Sequence, residues 1–257
     1  MNFKNTLEFA QQLDAQDSLR SYQNEFIFPQ VNNQKVIYFT GNSLGLQPKR
    51  TKTYVDEVMN DWANLAVEGH FYADKPWWDY HERFAAPLSK IVGALPSEVT
   101  VMNTLTVNLH LLMVSFYKPT AKRYKIICEE KAFPSDQYMF QSQVQFHAQN
   151  SGINANDAIV EIKRRDGEHN IRLEDIISKI NEVGDELALV LIGGVNYYTG
   201  QVFDIKTITA AGHKVGAKVG WDLAHAAGNI KLELHDWNVD FAAWCSYKYM
   251  NSGPGNA

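Results

Sequence analysis

Two hydrophobic patterns divide the chain. In the first 120 residues, apolar positions such as Val55, Met59, Trp62 and Ala66 recur every three or four residues, which is the spacing of one face of an α-helix. From residue 124 onward, short β-rich runs alternate with helical patterns. The sequence therefore predicts a helical N-terminal segment over residues 1–100 and an α/β domain over residues 101–257.

The second part predicts a mostly parallel sheet flanked by helices on both faces, because strands and helices alternate along the chain. Runs such as Leu187–Ile192 are apolar at every position, as a strand covered on both faces must be. The predicted strands are Tyr124–Cys128, Ala158–Ile162, Leu187–Ile192 and Ala217–Trp221, and the predicted helices lie around 134–149, 172–183 and 204–214. In such sheets, ligands bind beyond the carboxyl ends of the strands.

Composition narrows the class of protein. The chain has 257 residues, of which 45% are hydrophobic and 21% charged, with a net charge of −5. This charge and the lack of a basic cluster disfavour nucleic acid as a partner. The longest apolar run, residues 187–195, is too short to cross a bilayer. Cys128 and Cys245 both lie among apolar residues, which favours a reducing, cytoplasmic location.

A carboxylate and an imidazole follow one apolar strand, in Asp222-Leu-Ala-His225. A carboxylate at that depth needs a partner in order to stay ionised. Asp222 is suited to accept a hydrogen bond from a pyridinium N–H, and His225 to donate one to a phenolate oxygen. The alternative is that Asp222 caps a helix beginning at Leu223 and that His225 lies on the surface.

A lysine, Lys248, stands in a run of mostly apolar and aromatic residues, residues 241–249. Desolvation there is expected to lower the pKa of the amine, as a Schiff-base nucleophile requires. A single lysine is more often a surface residue. The glycines of Gly253-Pro-Gly255 weaken that alternative, because they allow a loop to approach a ligand closely.

Two further segments carry candidate binding residues. Thr104 and Thr106 open an apolar helix, whose first N–H groups suit a phosphate, although Thr104 is equally suited to be a plain N-cap. In the loop after the first strand, Phe133 is placed to lie flat on an aromatic ligand. Ser135 and Asp136 are equally suited to cap the next helix, and Phe133 to belong to the core.

In chain order these segments supply a phosphate cradle, a stacking ring, an acid for a pyridine nitrogen and a lysine, the groups that pyridoxal 5'-phosphate needs. The chain closely resembles the kynureninase family of fold-type-I pyridoxal-phosphate enzymes, in the class-V aminotransferase superfamily. The resemblance covers essentially the whole chain. The motifs that carry it are Gly41-Asn-Ser-Leu-Gly45, Asn103-Thr-Leu-Thr-Val-Asn-Leu-His110, Ala132-Phe-Pro-Ser-Asp136, Tyr198-Thr-Gly-Gln201, Asp222-Leu-Ala-His225, His235-Asp-Trp237 and Trp244-Cys-Ser-Tyr-Lys-Tyr249.

The resemblance implies a role for each matching residue. Lys248 would form the Schiff base with the cofactor and later remove the substrate Cα proton, and Tyr247 would shuttle protons. Ser43 and His70 would line the pocket for the substrate's aryl ketone. The cofactor-binding residues would be Leu105, Thr106, Phe133, Pro134, Ser135, Asp136, Asp222, His225, Tyr247 and Lys248. No metal is expected.

The resemblance also implies a reaction and an assembly. The family hydrolyses L-kynurenine or 3-hydroxy-L-kynurenine to anthranilate or 3-hydroxyanthranilate plus L-alanine, in tryptophan catabolism toward NAD, and a homodimer is expected. One departure from the family is Gly193, where relatives usually carry a hydroxyl that contacts the cofactor.

A larger departure is that the family continues well beyond Lys248, through the rest of the large domain and a small C-terminal domain. The sequence therefore suggests a C-terminally truncated chain, which is one reason to keep an alternative. In that alternative the chain is a catalytically inactive isoform that only binds cofactor or pairs with a full-length subunit.

Three other enzyme classes are disfavoured. Neither cysteine lies in the mobile loop that a cysteine desulfurase needs. No G-x-G-x-x-G follows a strand, as a dinucleotide-binding dehydrogenase requires, and the histidines lack the H-E-x-x-H spacing of a metal hydrolase.

Overall fold

The computed structural model describes residues 3–256, so residues 1, 2 and 257 of the two predicted domain ranges lie outside it. The first part of the chain contains helices separated by irregular segments. Its α-helices are α1 (Leu7–Gln16), α2 (Thr51–Leu65), α3 (Gly69–Tyr72) and α4 (Ala85–Val92), with 3₁₀ turns at Arg20–Glu25, Ala66–Glu68, Tyr80–Phe84 and Pro96–Glu98.

Four very short strands in this part were not predicted from the sequence. They form two antiparallel pairs, β1 (Phe26–Ile27) with β4 (Gln47–Pro48) and β2 (Gln30–Val31) with β3 (Gln34–Lys35). Strands of two residues leave no hydrophobic period that a sequence pattern can reveal. The expectation of a mainly helical beginning therefore holds for residues 51–92 and not for residues 26–48.

The second part is an α/β unit. Its strands are β5 (Lys125–Glu129), β6 (Ile159–Ile162), β7 (Leu187–Gly193), β8 (Lys218–Asp222) and β9 (Phe241–Ala243). Its helices are α5 (Leu105–Phe116), α6 (Pro134–Ser151), α7 (Leu173–Val183) and α8 (Ile205–Lys214), with a 3₁₀ turn at Gly184–Glu186. The four predicted strands and the three predicted helices are confirmed to within two residues, and α5 extends the pattern.

The five strands form one parallel sheet in the order β6-β5-β7-β8-β9. From β5 the chain moves outward to β6 and then returns to the other side of β5 as β7. The strand order thus reverses between β5 and β7, and a crevice opens at the carboxyl ends of strands at such a point.

Two hydrophobic layers cover the sheet, as its apolar strands predict. Val190 and Ile192 of β7 pack on one face with α7 and α8, while Leu189 and Leu191 pack on the other with α5 and α6. A polar contact supports the first layer, where the buried Trp221 indole N–H donates to Thr209 Oγ1 at 3.2 Å. The α/β fold class is confirmed.

Gly220 on β8 allows a close approach on the second face. The ring of Phe241 lies over this glycine and stacks on Phe116 of α5, with ring centroids 4.7 Å apart. A Cβ at position 220 would overlap the Phe241 ring. A residue without a side chain is therefore needed where α5, β8 and β9 meet.

We expect Gly220→Ala to lower the free energy of unfolding by about 1 to 3 kcal/mol, because the added methyl group must displace a packed ring. Urea unfolding followed by circular dichroism measures the change. Gly41→Ala is the matched control, since no atom lies within 4 Å of its added Cβ. Equal stability of the two variants would show that the ring moves aside freely.

Candidate active site

A cavity of about 270 Å³ lies at the carboxyl edge of the sheet, where β5 and β7 separate. The last paired residues of these strands are Ile127 and Val190, whereas β7 stays paired with β8 as far as Gly193 and Asp222. The strands therefore diverge over their last residues. The cavity occupies the space that this divergence leaves.

The cavity wall contains all the predicted cofactor residues except Pro134. These residues are Leu105, Thr106, Phe133, Ser135, Asp136, Asp222, His225, Tyr247 and Lys248. Pro134 is the first residue of α6, where its fixed φ favours the start of a helix. The remaining residues of the wall are Thr104, Glu129, Gly193, Val195, Tyr197, Ala224 and Cys245.

One end of the cavity is the N-terminus of α5. Thr104 is the N-cap, and its Oγ1 accepts from Val107 N at 3.4 Å. The next two N–H groups, of Leu105 and Thr106, lie in the first turn, which has no helical acceptors. The two alternatives for this segment are thus compatible, because the capping threonine begins a helix whose end is suited to a phosphate.

Phe133 presents its ring to the cavity. The side chain is 45% exposed, so Phe133 is not the core residue that one alternative suggested. Tyr197 meets it edge-to-face, with centroids 5.3 Å apart and ring planes at 88°. Ser135 and Asp136 do not cap α6, whose N-cap is Phe133 without a side-chain bond.

Asp222 ends β8 and is buried, with 8% of its surface exposed. Its Oδ1 accepts from Ala224 N at 2.8 Å. No regular helix follows, since residues 224–229 form turns, so the alternative of a helix cap at Leu223 is wrong. The carboxylate faces the cavity instead.

Lys248 is 7% exposed, and its Nζ lies 2.9 Å from Nε2 of His225. Burial, and then the charge of Lys248, lowers the pKa of His225 to about 4. The imidazole is therefore neutral near pH 7, and its Nε2 accepts a hydrogen bond from the amine. His225 is half-buried in the cavity wall, so the surface alternative for this residue is wrong.

Three buried carboxyl groups, of Glu129, Asp136 and Asp222, line the same cavity as Lys248. Asp136 and Asp222 share a hydrogen bond, and burial together with the neighbouring Asp222 raises the pKa of Asp136. Asp136 therefore keeps its proton and donates to Asp222. Burial also raises the pKa of Glu129 to about 7.

Glu129 was not identified from the sequence, although it ends an apolar strand as Asp222 does. Its carboxyl accepts from Gly193 N, with N···O distances of 3.2 and 3.4 Å. This bond joins β5 to β7 beyond their last backbone pair. Tyr197 was also missed, because its signal is only an aromatic residue beside the Tyr198-Thr-Gly-Gln201 motif.

Ser43 and His70 are not part of the cavity wall. Ser43 is exposed, in a loop whose Gly45 N donates to the Tyr247 carbonyl at 2.8 Å. His70 is exposed on α3, with its ring 5.5 Å from that of Trp77. The loop that carries Ser43 and Gly45 therefore contacts the segment that carries Lys248. Helix α3 contributes no residue to the cavity wall.

Residues 3–256 contain no cluster of three His, Cys, Asp or Glu side chains arranged to hold a metal ion. Over the same range, no helix is both long and apolar enough to cross a bilayer.

Glu129→Gln is expected to change how stability depends on pH. The folded pKa of about 7 lies above the ordinary value of 4.5, so the proton on Glu129 stabilises the fold at low pH and this contribution is lost as pH rises through 7. Glutamine keeps an acceptor for Gly193 N and has no proton to lose. The variant should therefore gain up to about 3 kcal/mol over the unsubstituted chain between about pH 4 and about pH 8.

Urea unfolding of both proteins across this range measures the difference. A constant difference between the two curves would show that the pKa of Glu129 is the same in the folded and the unfolded chain.

Comparison with solved structures shows the same fold in pyridoxal-phosphate enzymes. A cysteine desulfurase from Thermococcus onnurineus NA1 superposes with a TM-score of 0.64 at 21% identity, covering 83% of this chain and 50% of that one. The cystine C-S lyase C-DES also gives 0.64, at 18% identity, covering 84% of this chain and 54% of the lyase. At these identities the likeness is one of fold.

Sequence comparison is more specific. The family model described as Aminotransferase class-V matches residues 131–255. Kynureninase of Flavobacterium johnsoniae is 85% identical over all of this chain and 60% of its own length. Kynureninase of Myxococcus xanthus is 54% identical over 98% of this chain and 59% of its own length.

The chain spans about 60% of the length of these curated relatives. The likeness runs through the segments that build the cavity, from the start of α5 to Lys248. Over its whole length the chain is similar to these kynureninases, and residues 131–255 match the Aminotransferase class-V family model.

Proposed function

We propose that the protein hydrolyses L-kynurenine or 3-hydroxy-L-kynurenine, with pyridoxal 5'-phosphate as cofactor, to anthranilate or 3-hydroxyanthranilate plus L-alanine. The observation that carries this proposal is the buried Lys248 amine, which shares one cavity with the Asp222 carboxylate and the N-terminus of α5. Identity of 85% to a kynureninase supports the choice of reaction.

The residues of the cavity fit this cofactor. The first N–H groups of α5 suit a phosphate, and Phe133 offers an exposed ring face. Burial raises the pKa of Asp222, and the hydrogen bonds from Ala224 N and Asp136, with the charge of Lys248, oppose this rise and favour the carboxylate as an acceptor for a pyridinium N–H. The Lys248 amine, the Asp222 carboxylate and the N-terminus of α5 would thus contact three different groups of one cofactor molecule: its aldehyde, its ring nitrogen and its phosphate.

When bound, pyridoxal phosphate supplies an electron sink for the negative charge left at the substrate Cα. Lys248 would hold the cofactor through its amine and would take the Cα proton. Asp222 would keep the ring nitrogen protonated. His225, neutral at pH 7, would donate to the phenolate oxygen through the ring nitrogen that carries its proton.

Tyr247 is proposed to move a proton in the later steps, when water adds to the γ-ketone and the Cβ–Cγ bond breaks. Its ring centroid lies 5.7 Å from Lys248 Nζ, and its side chain lines the cavity. The proposed contacts of Ser43 and His70 with the aryl ketone rest on the family resemblance.

A second candidate function is cofactor binding without turnover, alone or paired with a longer subunit. The observation in its favour is that the chain spans about 60% of the length of the relatives. Orientation of the substrate by groups outside this span would then be lacking.

We expect the chain to take up pyridoxal phosphate, with a long-wavelength absorbance and a borohydride-fixed label on Lys248. Lys248→Ala removes the only proposed attachment point, so both signals should vanish. Lys131→Ala, a lysine outside the cavity wall, is the control and should keep them. A label that persists in Lys248→Ala would contradict the assignment.

Release of anthranilate, followed by its fluorescence, tests the reaction. The chain loaded with pyridoxal phosphate, without borohydride treatment, should release it from L-kynurenine, and Lys248→Ala should not. Uptake of the cofactor without release would favour the second candidate function over hydrolysis.

We further propose a homodimer in the cytoplasm. Large apolar side chains stay exposed along α2, including Val55, Met59 and Trp62, at 55%, 53% and 62% exposure, and a second subunit would cover such a surface. The buried thiols of Cys128 and Cys245 suit a reducing compartment. Sedimentation should give twice the mass of the chain, and a monomer at micromolar concentration would contradict the assembly.

A further inference from the structure

The loop after β7 carries a motif to which the proposed function gives no role. It runs from Asn196 to Gln201 and includes Tyr197, which lines the cavity, and Tyr198, which is 84% exposed. Within residues 3–256, Tyr197 is the only ring in aromatic contact with Phe133. The loop thus reaches the proposed stacking residue from the side.

The loop is held in one shape by its own polar groups. Asn196 Oδ1 accepts from the backbone N–H groups of Tyr198 and Thr199, each at 3.0 Å. Asn196 N donates to the Gln201 carbonyl at 2.8 Å, which closes the base of the loop. Tyr197 is therefore carried on a rigid turn.

Gln201 ties this turn to the rest of the domain. Its side-chain oxygen accepts from Ile171 N at 2.9 Å, and its side-chain nitrogen donates to the Ile171 carbonyl at 2.6 Å. Ile171 is buried, with 5% of its surface exposed. A two-point contact of this kind fixes both the position and the direction of the loop.

Phe133 itself is weakly held. It is the N-cap residue of α6, its side chain makes no capping bond, and 45% of its surface is exposed. A half-exposed ring exchanges between orientations unless a neighbour selects one. The edge-to-face contact with Tyr197 selects one, because it favours perpendicular ring planes.

We propose that Tyr197 is a positioning residue for cofactor binding: its contact fixes the plane in which Phe133 stacks on the cofactor ring, and Gln201 holds Tyr197 in place. This inference rests on the cofactor site of the proposed function and does not depend on the substrate.

A double-mutant cycle on uptake of pyridoxal phosphate tests the proposal. Phe133→Leu, Tyr197→Leu and the double variant are titrated with the cofactor, following its absorbance. If the rings act together, Tyr197→Leu should weaken uptake about two- to tenfold in the presence of Phe133 and hardly at all in Phe133→Leu. Tyr197→Phe keeps the ring and should bind as the unsubstituted chain does.

Tyr138→Leu is the matched control, since it changes a tyrosine of α6 that is 71% exposed and lies outside the cavity wall, and it should leave uptake unchanged. The visible circular dichroism of the bound cofactor adds a readout that general loss of stability would not change. This signal should fall at saturating cofactor in Tyr197→Leu and recover in Tyr197→Phe.

Gln201→Leu extends the test to the loop. It should weaken uptake in the presence of Tyr197 and have little further effect in Tyr197→Leu. Equal effects in both backgrounds would contradict the part of the proposal that concerns Gln201.

The outcomes separate this proposal from the proposed function. Additive effects of Phe133→Leu and Tyr197→Leu, in a chain that takes up the cofactor, would overturn the positioning role and leave the cofactor site intact. If the unsubstituted chain takes up no cofactor, both proposals are wrong. Uptake with the expected coupling but without release of anthranilate would support the positioning role and count against hydrolysis.

Discussion

The divergence of β5 and β7 is the constraint on which the rest of the site depends. Parallel strands in this sheet are joined by backbone hydrogen bonds, and these end at Ile127 and Val190 on this pair. Beyond that point the Glu129 side chain takes over the role of the missing backbone partner for Gly193 N. The opening between the strand ends is the space that a flat ring can enter.

Burial then determines the charges in this opening. Glu129, Asp136 and Asp222 lie together at 5%, 4% and 8% exposure, and three ionised carboxylates cannot share such a site without cations. Burial raises the pKa of all three carboxyl groups, so that Asp136 keeps its proton and donates to Asp222, which also accepts from Ala224 N. Asp222 and the Lys248 amine thus line the same cavity.

Aromatic packing determines the orientation of Phe133 in the cavity wall. The ring of Phe133 projects from the end of a loop, where backbone bonds do little to orient a side chain. Its orientation depends on Tyr197, and Tyr197 depends in turn on Gln201, whose partner Ile171 comes from the segment before α7. Three separate parts of the chain are needed to present one ring.

By itself, the sequence determined the strands, the helices and most of the cavity wall, because both follow from local patterns. An apolar run such as Leu187–Ile192 is stable only inside a sheet that is covered on both faces. Asp222 is recognisable as a polar residue at the end of an apolar run, and Lys248 as a charged residue within one. The family motifs added a proposed role for each of those residues.

Only the tertiary structure decided the places of Glu129, Tyr197, Ser43 and His70. Glu129 is important because the neighbouring strand, β7, diverges from β5. Tyr197 is important because its ring contacts that of Phe133. In both cases the contacting residue is distant in sequence. The motifs of Ser43 and His70 match the family, yet no pattern along a chain tells which side of a folded domain a short loop or helix will face. Contacts between distant segments arise only when the whole core packs, and that packing is not encoded in any local window.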